Sequence, residues 1–501
     1  MTTHSCIVLG IDLGAGSLKA TLVDTAGGQI LGDGKYPITT RIPQHGWSEQ
    51  DPKEWYTALC HAVPQALSTA RLSADRIAAI GVSAGAHIPV LLDKTGQVLR
   101  PAIMWNDQRS TQEANELREQ HGELIERLSL NRVNPTWSLP MLYWLQRHEP
   151  EIIRKVRHFC LPKDYLRWRL TNTWGTDFSD AVGALLADAD QHDWSDEICA
   201  LIDWPTSTLP PVSRPTHIAG EITPQAARST GLAAGTPVVI GSNDTTVELF
   251  GVGATHPGQA AIKLATSGVL FLTVDRPIVK PPISCYPHII DGLYYLATGT
   301  NACATAHRWA CKQLFPDLDH DAVQRLALSA PAGSDGLFFH PYLQGERGPY
   351  WDAHLRAGFW GLTIRHSRAH LARAVYEGIA YSINDLLCDA RHKGLEIQTA
   401  RLLGGGARSA EWQQLMADIT GLHLELPEAG EASFGTALVA GIGIGLFTDP
   451  HDAVHRCVRV INTAEPDPTR HALYQDLFAI YQALQQAHAP IAHRLHALLK
   501  H

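Results

Sequence analysis

Apolar positions recur along this chain with two periods, and its elements follow from them. Ile7 to Asp24 pairs two apolar runs around a turn rich in Gly and Ser, which predicts a β-hairpin whose tip exposes backbone N–H groups. Ala261 to Asp275 repeats the arrangement around Thr266, Ser267 and Gly268 and again ends on Val-Asp. Two such hairpins far apart in sequence predict two related domains, each offering a turn. Val238 to Asp244, an apolar run closing on Gly-Ser-Asn-Asp, predicts a buried strand that delivers a carboxylate at its end. The same residues also read as a helix start capped by Asn243 or Asp244.

Helical spacing marks other stretches. Asp51-Pro52-Lys53-Glu54-Trp55 combines a cap, a first-turn proline and an acid, and Pro64 is expected to kink or end the helix they open. His370 to Ala390 carries Leu371, Ala374, Val375, Ile379, Ile383, Leu386 and Leu387 on one face, the pattern of a core helix ended near Gly394. Ile77 to Asp93 reads as two strands with a Gly-rich connection. Arg401 to Leu403 reads as a strand running into Gly404-Gly405-Gly406 and a Ser409-capped helix, Ala410 to Thr420, closed by Gly421.

Length and composition narrow the class. A chain of 501 residues exceeds a single hydrophobic core and implies at least two domains. A formal net charge of −9 argues against an electrostatic nucleic-acid binder, so phosphate would be held by backbone amides, helix ends and a metal. Nine scattered cysteines without Cys-x-x-Cys spacing read as free thiols of a reducing cytoplasm. The 26 histidines show no His-Glu-x-x-His pattern, and no structural zinc site is expected. No leader or membrane span is apparent, which predicts a cytoplasmic protein without a membrane partner.

Candidate chemistry sits at the turns. The tip around Gly14 to Ser17 can cradle phosphate oxygens, and Asp12 near its entry can hold Mg2+ through water. The spacing is neither a P-loop nor a dinucleotide fingerprint, and an ordinary tight hairpin explains it as well. Trp105, Asn106, Asp107 and Arg109 combine a flat apolar platform with fixed polar groups, as a sugar site needs, though an anchored surface loop has the same composition. His87 at a Gly-rich connection is a contact for a polar ligand or a structural histidine. Lys163-Asp164-Tyr165 precedes a helix, Asp177 and Asp180 offer loop carboxylates or helix caps, the cap being preferred for Asp180, and Glu346 to Asp352 is a dense charged and aromatic loop that also reads as a salt-bridged surface turn. Three glycines before a helix N-terminus let a nucleotide base and ribose lie on bare backbone. Asp244 is the candidate general base.

Taken together, these segments resemble the FGGY carbohydrate kinases of the actin-like, hexokinase and Hsp70 ATPase superfamily. The motifs are Gly10-Ile-Asp-Leu-Gly14, Trp47-Ser-Glu-Gln-Asp-Pro52, Pro101-Ala-Ile-Met-Trp-Asn-Asp107 with Arg109, Leu161-Pro-Lys-Asp-Tyr165, Ala265-Thr-Ser-Gly268, Gly345-Glu-Arg347, Gly361-Leu362 through Glu377 and Leu403-Gly-Gly-Gly-Ala-Arg-Ser409. Trp-Ser-Glu-Gln-Asp-Pro and Trp-Asn-Asp-x-Arg look most like the xylulokinase branch.

The resemblance implies an α/β fold of two actin-like (ribonuclease H-like) ATPase domains facing a central cleft, residues 1–245 for the sugar and 246–501 for the nucleotide. It implies ATP and Mg2+, with Asp12 as the metal-associated carboxylate. Gly14, Ala15, Gly16, Ser17 and Lys19, with Thr266, Ser267 and Gly268, would form the phosphate elements. Gly404, Gly405, Gly406, Ala407 and Ser409 would meet adenosine. Ala86, His87, Trp105, Asp107 and Asp244 would face the sugar, with Asp244 as proton acceptor. The expected partners are a small sugar and ATP, with no nucleic acid; a homodimer is left open. Branch members usually carry Gly-Gln-Met-His where this chain has Ala84-Gly85-Ala86-His87, and Gly-Asp-Asn where it has Asn243-Asp244-Thr245; a common lysine is Met141 here. These departures keep other acceptors open, among them ribulose, gluconate, glycerol or an autoinducer-like dihydroxy ketone. A rival of another class is a non-catalytic actin-like sensor or scaffold that binds nucleotide, against which the presence of both Asp12 and Asp244 speaks.

Overall fold

The computed structural model of the chain describes residues 6–499, and the counts below refer to them. Contacts divide the chain into two compact units that interleave in sequence. The first comprises Met1–Thr255, Asp275–Tyr295 and Ala429–Arg459; the second comprises His256–Val274, Leu296–Glu428 and Val460–His501.

In the first unit a six-stranded sheet runs in the order Ile218–Glu221, Pro237–Val239, Ile77–Ala84, Ile7–Leu13, Ser17–Asp24, Gln29–Pro37. Ile7–Leu13 and Ser17–Asp24 form the antiparallel N-terminal hairpin, and Ile7–Leu13 runs parallel to Ile77–Ala84. Period two explains the central strand. Ile7, Leu9, Ile11 and Leu13 pack with Trp55, Leu59 and Ala62 of the helix Pro52–Ala70. Val8 lies on the opposite face, in a cluster with Phe434, Ala437 and Leu438 of the helix Ala432–Gly443. Gly10 shares that face because a Cβ there would stand 1.8 Å from the Ser433 carbonyl oxygen. Asp12, next on the face, emerges where the strand ends.

The helix opened at Pro52 does not stop at Pro64. It continues to Ala70, capped by the Asp51 carboxylate accepting the Lys53 N–H. Pro64 removes one helical hydrogen bond, and the apolar face on either side of it, Leu59, Ala62, Val63 and Ala66, is fully buried.

The second unit repeats the hairpin plan. Gln259–Leu264 pairs antiparallel with Gly268–Val274 and parallel with Thr399–Leu403, and His423–Pro427 and Val460–Ala464 extend the sheet. The expected core helix spans Arg368–His392, with Ser367 and His370 forming a reciprocal cap. The C-terminal helix Pro468–Leu499 lies on this unit: His488 stacks edge-on to Trp360, and His493 pairs with Asp352 at 2.6 Å. All nine cysteines are free thiols. Among the described residues no helix is long and apolar enough to cross a membrane.

Candidate active site

A cavity of about 130 Å3 opens in the first unit, and its lining brings together Gly14, Ala15, Gln50, Gly85, Trp105 and Asp244. The sheet explains the convergence. Leu13 stands beside Ala84 in parallel register and Ala84 bridges to Asn243, so three segments leave adjacent strand ends together. Pairing in the third of these strands stops at Val239, and Asn243 caps the helix Asp244–Gly251 by accepting the Thr246 N–H at 3.0 Å. Asp244 is thus the first helical residue and not the last of a strand. Its Oδ1 accepts the Thr245 N–H at 2.8 Å. A Cβ added at Gly85 would stand 3.9 Å both from Asp244 Oδ2 and from the Trp105 ring, so carboxylate and indole border the same space. Trp105 is 46 % exposed, an indole face open to a ligand.

Around the hairpin tip, Ala15 and Gly16 are exposed. Asp12 Oδ1 accepts the Ser83 hydroxyl at 2.9 Å, and Thr436 donates to Ser83 at 2.8 Å. Its carboxylate oxygens are the hard donors Mg2+ takes. Lys19 pairs with Glu431 at 2.7 Å, with both side chains partly exposed.

Every residue of Trp47 to Pro52 has an identifiable task. Trp47 lies 3.7 Å under the Arg109 guanidinium, the Ser48 N–H donates to Asp107 at 2.5 Å, and Glu49 pairs with Arg100 at 2.7 Å and Arg109 at 2.8 Å. Gln50 donates to the Ala15 carbonyl at 2.7 Å and accepts from Trp55, tying the hairpin tip to the helix that Asp51 caps and Pro52 begins. Asp107, expected at the sugar, does not line the cavity. Arg109 grips both its oxygens, at 2.9 and 2.8 Å, and the residue is 1 % exposed.

His87 is likewise enclosed. Its Nδ1–H donates to the Gly183 carbonyl at 2.6 Å and its ring stacks on Trp137 at 4.1 Å. A column of rings continues through Tyr286 to Tyr295, whose hydroxyl bonds Thr245 at 2.8 Å and Thr246 at 3.0 Å, beside Asp244. Burial pulls the imidazole down to about 4, so it is neutral at neutral pH. Ala86 is buried and comes near Gly183, and Met141 is buried in the helix Ser138–His148.

Behind Asp244 lies a charged cluster that local sequence did not reveal. Lys163 Nζ meets Asp164 at 2.6 Å, Asp177 at 3.0 Å and Asp180 at 3.1 Å, all fully enclosed, with Arg167 alongside. Asp177, not Asp180, caps the helix Phe178–Gly183, and it also accepts the Ser242 hydroxyl at 2.6 Å. Burial raises the Asp180 carboxyl well above its usual range, against the pull of Lys163 and with the help of the Asp177 charge.

In the second unit, Lys263 pairs with Leu403, so the turn Thr266 to Gly268 and the glycines Gly404 to Gly406 leave neighbouring strands side by side. Gly404 has φ +88° and its Cβ would meet the Leu264 carbonyl at 2.6 Å, which excludes other residues. Gln413 donates to the Ala407 carbonyl at 2.7 Å and Ser409 caps the helix Ala410–Thr420, fixing the loop. Glu346 receives the Thr300 hydroxyl and the Asn301 and Arg347 N–H groups; burial nonetheless pushes its carboxyl up to about 7.

Comparison with known proteins bears on this arrangement. Residues 7–251 match the N-terminal domain and residues 260–444 the C-terminal domain of the FGGY family of carbohydrate kinases. The chain is 33 % identical to a xylulose kinase of Staphylococcus epidermidis, covering 95 % of this chain and 96 % of that one. It is 34 % identical to a xylulose kinase of Escherichia coli, over 96 % and 99 %. The crystal structure of xylulose kinase from Rhodospirillum rubrum superposes with a TM-score of 0.89 at 29 % identity, over 97 % of this chain and all of that one.

Proposed function

The chain belongs to the FGGY family of carbohydrate kinases and has their actin-like α/β fold, and we propose that it transfers the γ-phosphoryl group of ATP to D-xylulose, giving D-xylulose 5-phosphate. One observation carries the mechanistic reading: a single cavity in the first unit is lined by the hairpin tip, an open indole face and the Asp244 carboxylate.

In this reading the sugar lies against Trp105, and the hydroxyl to be phosphorylated faces Asp244 Oδ2. Oδ1 is already engaged by the Thr245 N–H, which holds the carboxylate in place. As the hydroxyl oxygen attacks the γ-phosphorus, its proton passes to Asp244 and ADP leaves. Phosphoryl transfer relies on positioning and charge stabilisation more than on covalent chemistry. Backbone amides of the Gly14 to Ser17 tip, and of Thr266 to Gly268, serve the phosphate oxygens, while Gly404 to Ala407 accommodate adenosine. Asp12, steadied by Ser83, would hold Mg2+; bound there, the ion would neutralise phosphate charge. Gly85, where the xylulokinase branch usually has glutamine, leaves room between indole and carboxylate for the acceptor.

Asp244→Asn keeps the shape and the Thr245 contact but removes the base. Sugar-dependent ADP release is expected to fall by a factor on the order of 10² or more while ATP still binds. Near-normal turnover refutes the assignment. Assaying D-xylulose beside ribulose, gluconate and glycerol tests the acceptor, and a higher kcat/KM for any of the others would replace D-xylulose in the proposal.

A further inference from the structure

The second unit carries a cluster of side chains with metal-ligating donors, none of them among the residues proposed to meet phosphate. His307 and Cys311 lie one helical turn apart on Ala304–Leu314, and His320 opens the next helix, His320–Leu328. One donor atom from each lies within 4.8 Å of the other two. We propose that His307, Cys311 and His320 bind a borderline-soft ion of the Zn2+ class, with water as the fourth ligand.

The geometry is close to what the ion needs. Cys311 Sγ is 3.9 Å from Nδ1 and 3.7 Å from Nε2 of His307. Tetrahedral zinc, with Zn–N near 2.1 Å and Zn–S near 2.3 Å, separates its nitrogen and sulfur ligands by about 3.6 Å. Side-chain rotation has to bring the three donors, now within 4.8 Å of one another, to that spacing. His307 is also oriented from behind: its Nε2 lies 2.9 Å from the Tyr376 hydroxyl, which frees Nδ1 for the ion and is the outer-shell contact typical of ligating histidines. Tyr376 and Trp412 wall one side. Cys311 is buried and His320 exposed, so the open edge admits ion and water.

The donor set fixes the class of ion. A thiol and two imidazoles without a carboxylate suit zinc or cobalt and disfavour Mg2+. On binding, the Cys311 thiol gives its proton to solvent and the thiolate becomes the ligand. The ion would tie the helix Ala304–Leu314 to the first turn of its successor. That first helix begins where Thr305 donates, from N–H and hydroxyl, to the Thr266 carbonyl at 3.1 and 2.9 Å.

The full-length protein, stripped with a chelator and kept in excess Mg2+, is titrated with Zn2+ against a chromophoric competitor. One ion per chain is expected, bound at least on the order of 100-fold more weakly after His320→Ala, a surface change that spares the fold. Co2+ should give a thiolate-to-metal charge-transfer band that Cys311→Ser abolishes. Zn2+ should raise the melting temperature of the parent protein and not of His320→Ala. Equal zinc affinity in parent and His320→Ala, or a cobalt spectrum without a thiolate band, overturns the site.

Discussion

At position 87 burial decides a histidine's task. The imidazole sits in a column of rings with one nitrogen on the Gly183 carbonyl, held neutral with its value near 4 against 6.5 for an unburied histidine. The unfolded chain takes up a proton as the pH falls through 6.5, whereas the folded site does not. Stability present above pH 6.5 is therefore lost on the way down towards 4. Between pH 7.5 and pH 5 this one site should remove about 2 kcal/mol from the parent protein. His87→Phe keeps the stack and loses the titration, so in denaturant melts the stability of the parent relative to the variant should fall by about 2 kcal/mol from pH 7.5 to pH 5. A gap independent of pH would contradict the buried, neutral state. The same logic of enclosure applies to Asp107, which looked accessible in sequence and is clamped by Arg109, whereas Asn243 caps a helix, one of the two roles its sequence offered, with its side chain on Ser179.

Between the helices Pro162–Thr171 and Phe178–Gly183, Lys163 stands among three enclosed carboxylates. Lys163→Met removes the cation and leaves those acids without its charge, which is expected to destabilise the protein by about 3–5 kcal/mol. Thermal melting of the variant measures it, and an unchanged midpoint would show that the cluster adds nothing. This element also marks where sequence reading stops. The two hairpins, the helix Arg368–His392 and the run from Gly404 into Ala410–Thr420 were legible, because periodicity, caps and glycines are local features. Asp177 and Asp180 read as loop carboxylates, Asp180 by preference as a cap. Their meeting with Lys163 depends on packing that encloses all three, and no neighbouring residue announces it. Trp137, Tyr286 and Tyr295 escaped for the same reason, since they come from remote segments. Pro64 does not end its helix, because one missing N–H does not outweigh a helix face buried on both sides of it.

Over the whole molecule, the path of the chain matters more than the boundary between its halves. The first unit takes in Ala429–Arg459, and the helix Ala432–Gly443 covers one face of its sheet. Through Thr436 and Ser83 the same helix steadies Asp12. A chain cut to residues 1–428 would expose Val8, Val23 and Ala79, all fully buried in the intact protein. Such a truncation is expected to bind a hydrophobic dye and lose its cooperative melt; an unaltered transition would show the helix to be dispensable. The consequence reaches into biosynthesis. During translation that sheet must wait, half clothed, until Ala432–Gly443 has left the ribosome, and until then its nascent β-surface stays open to sticking to its neighbours.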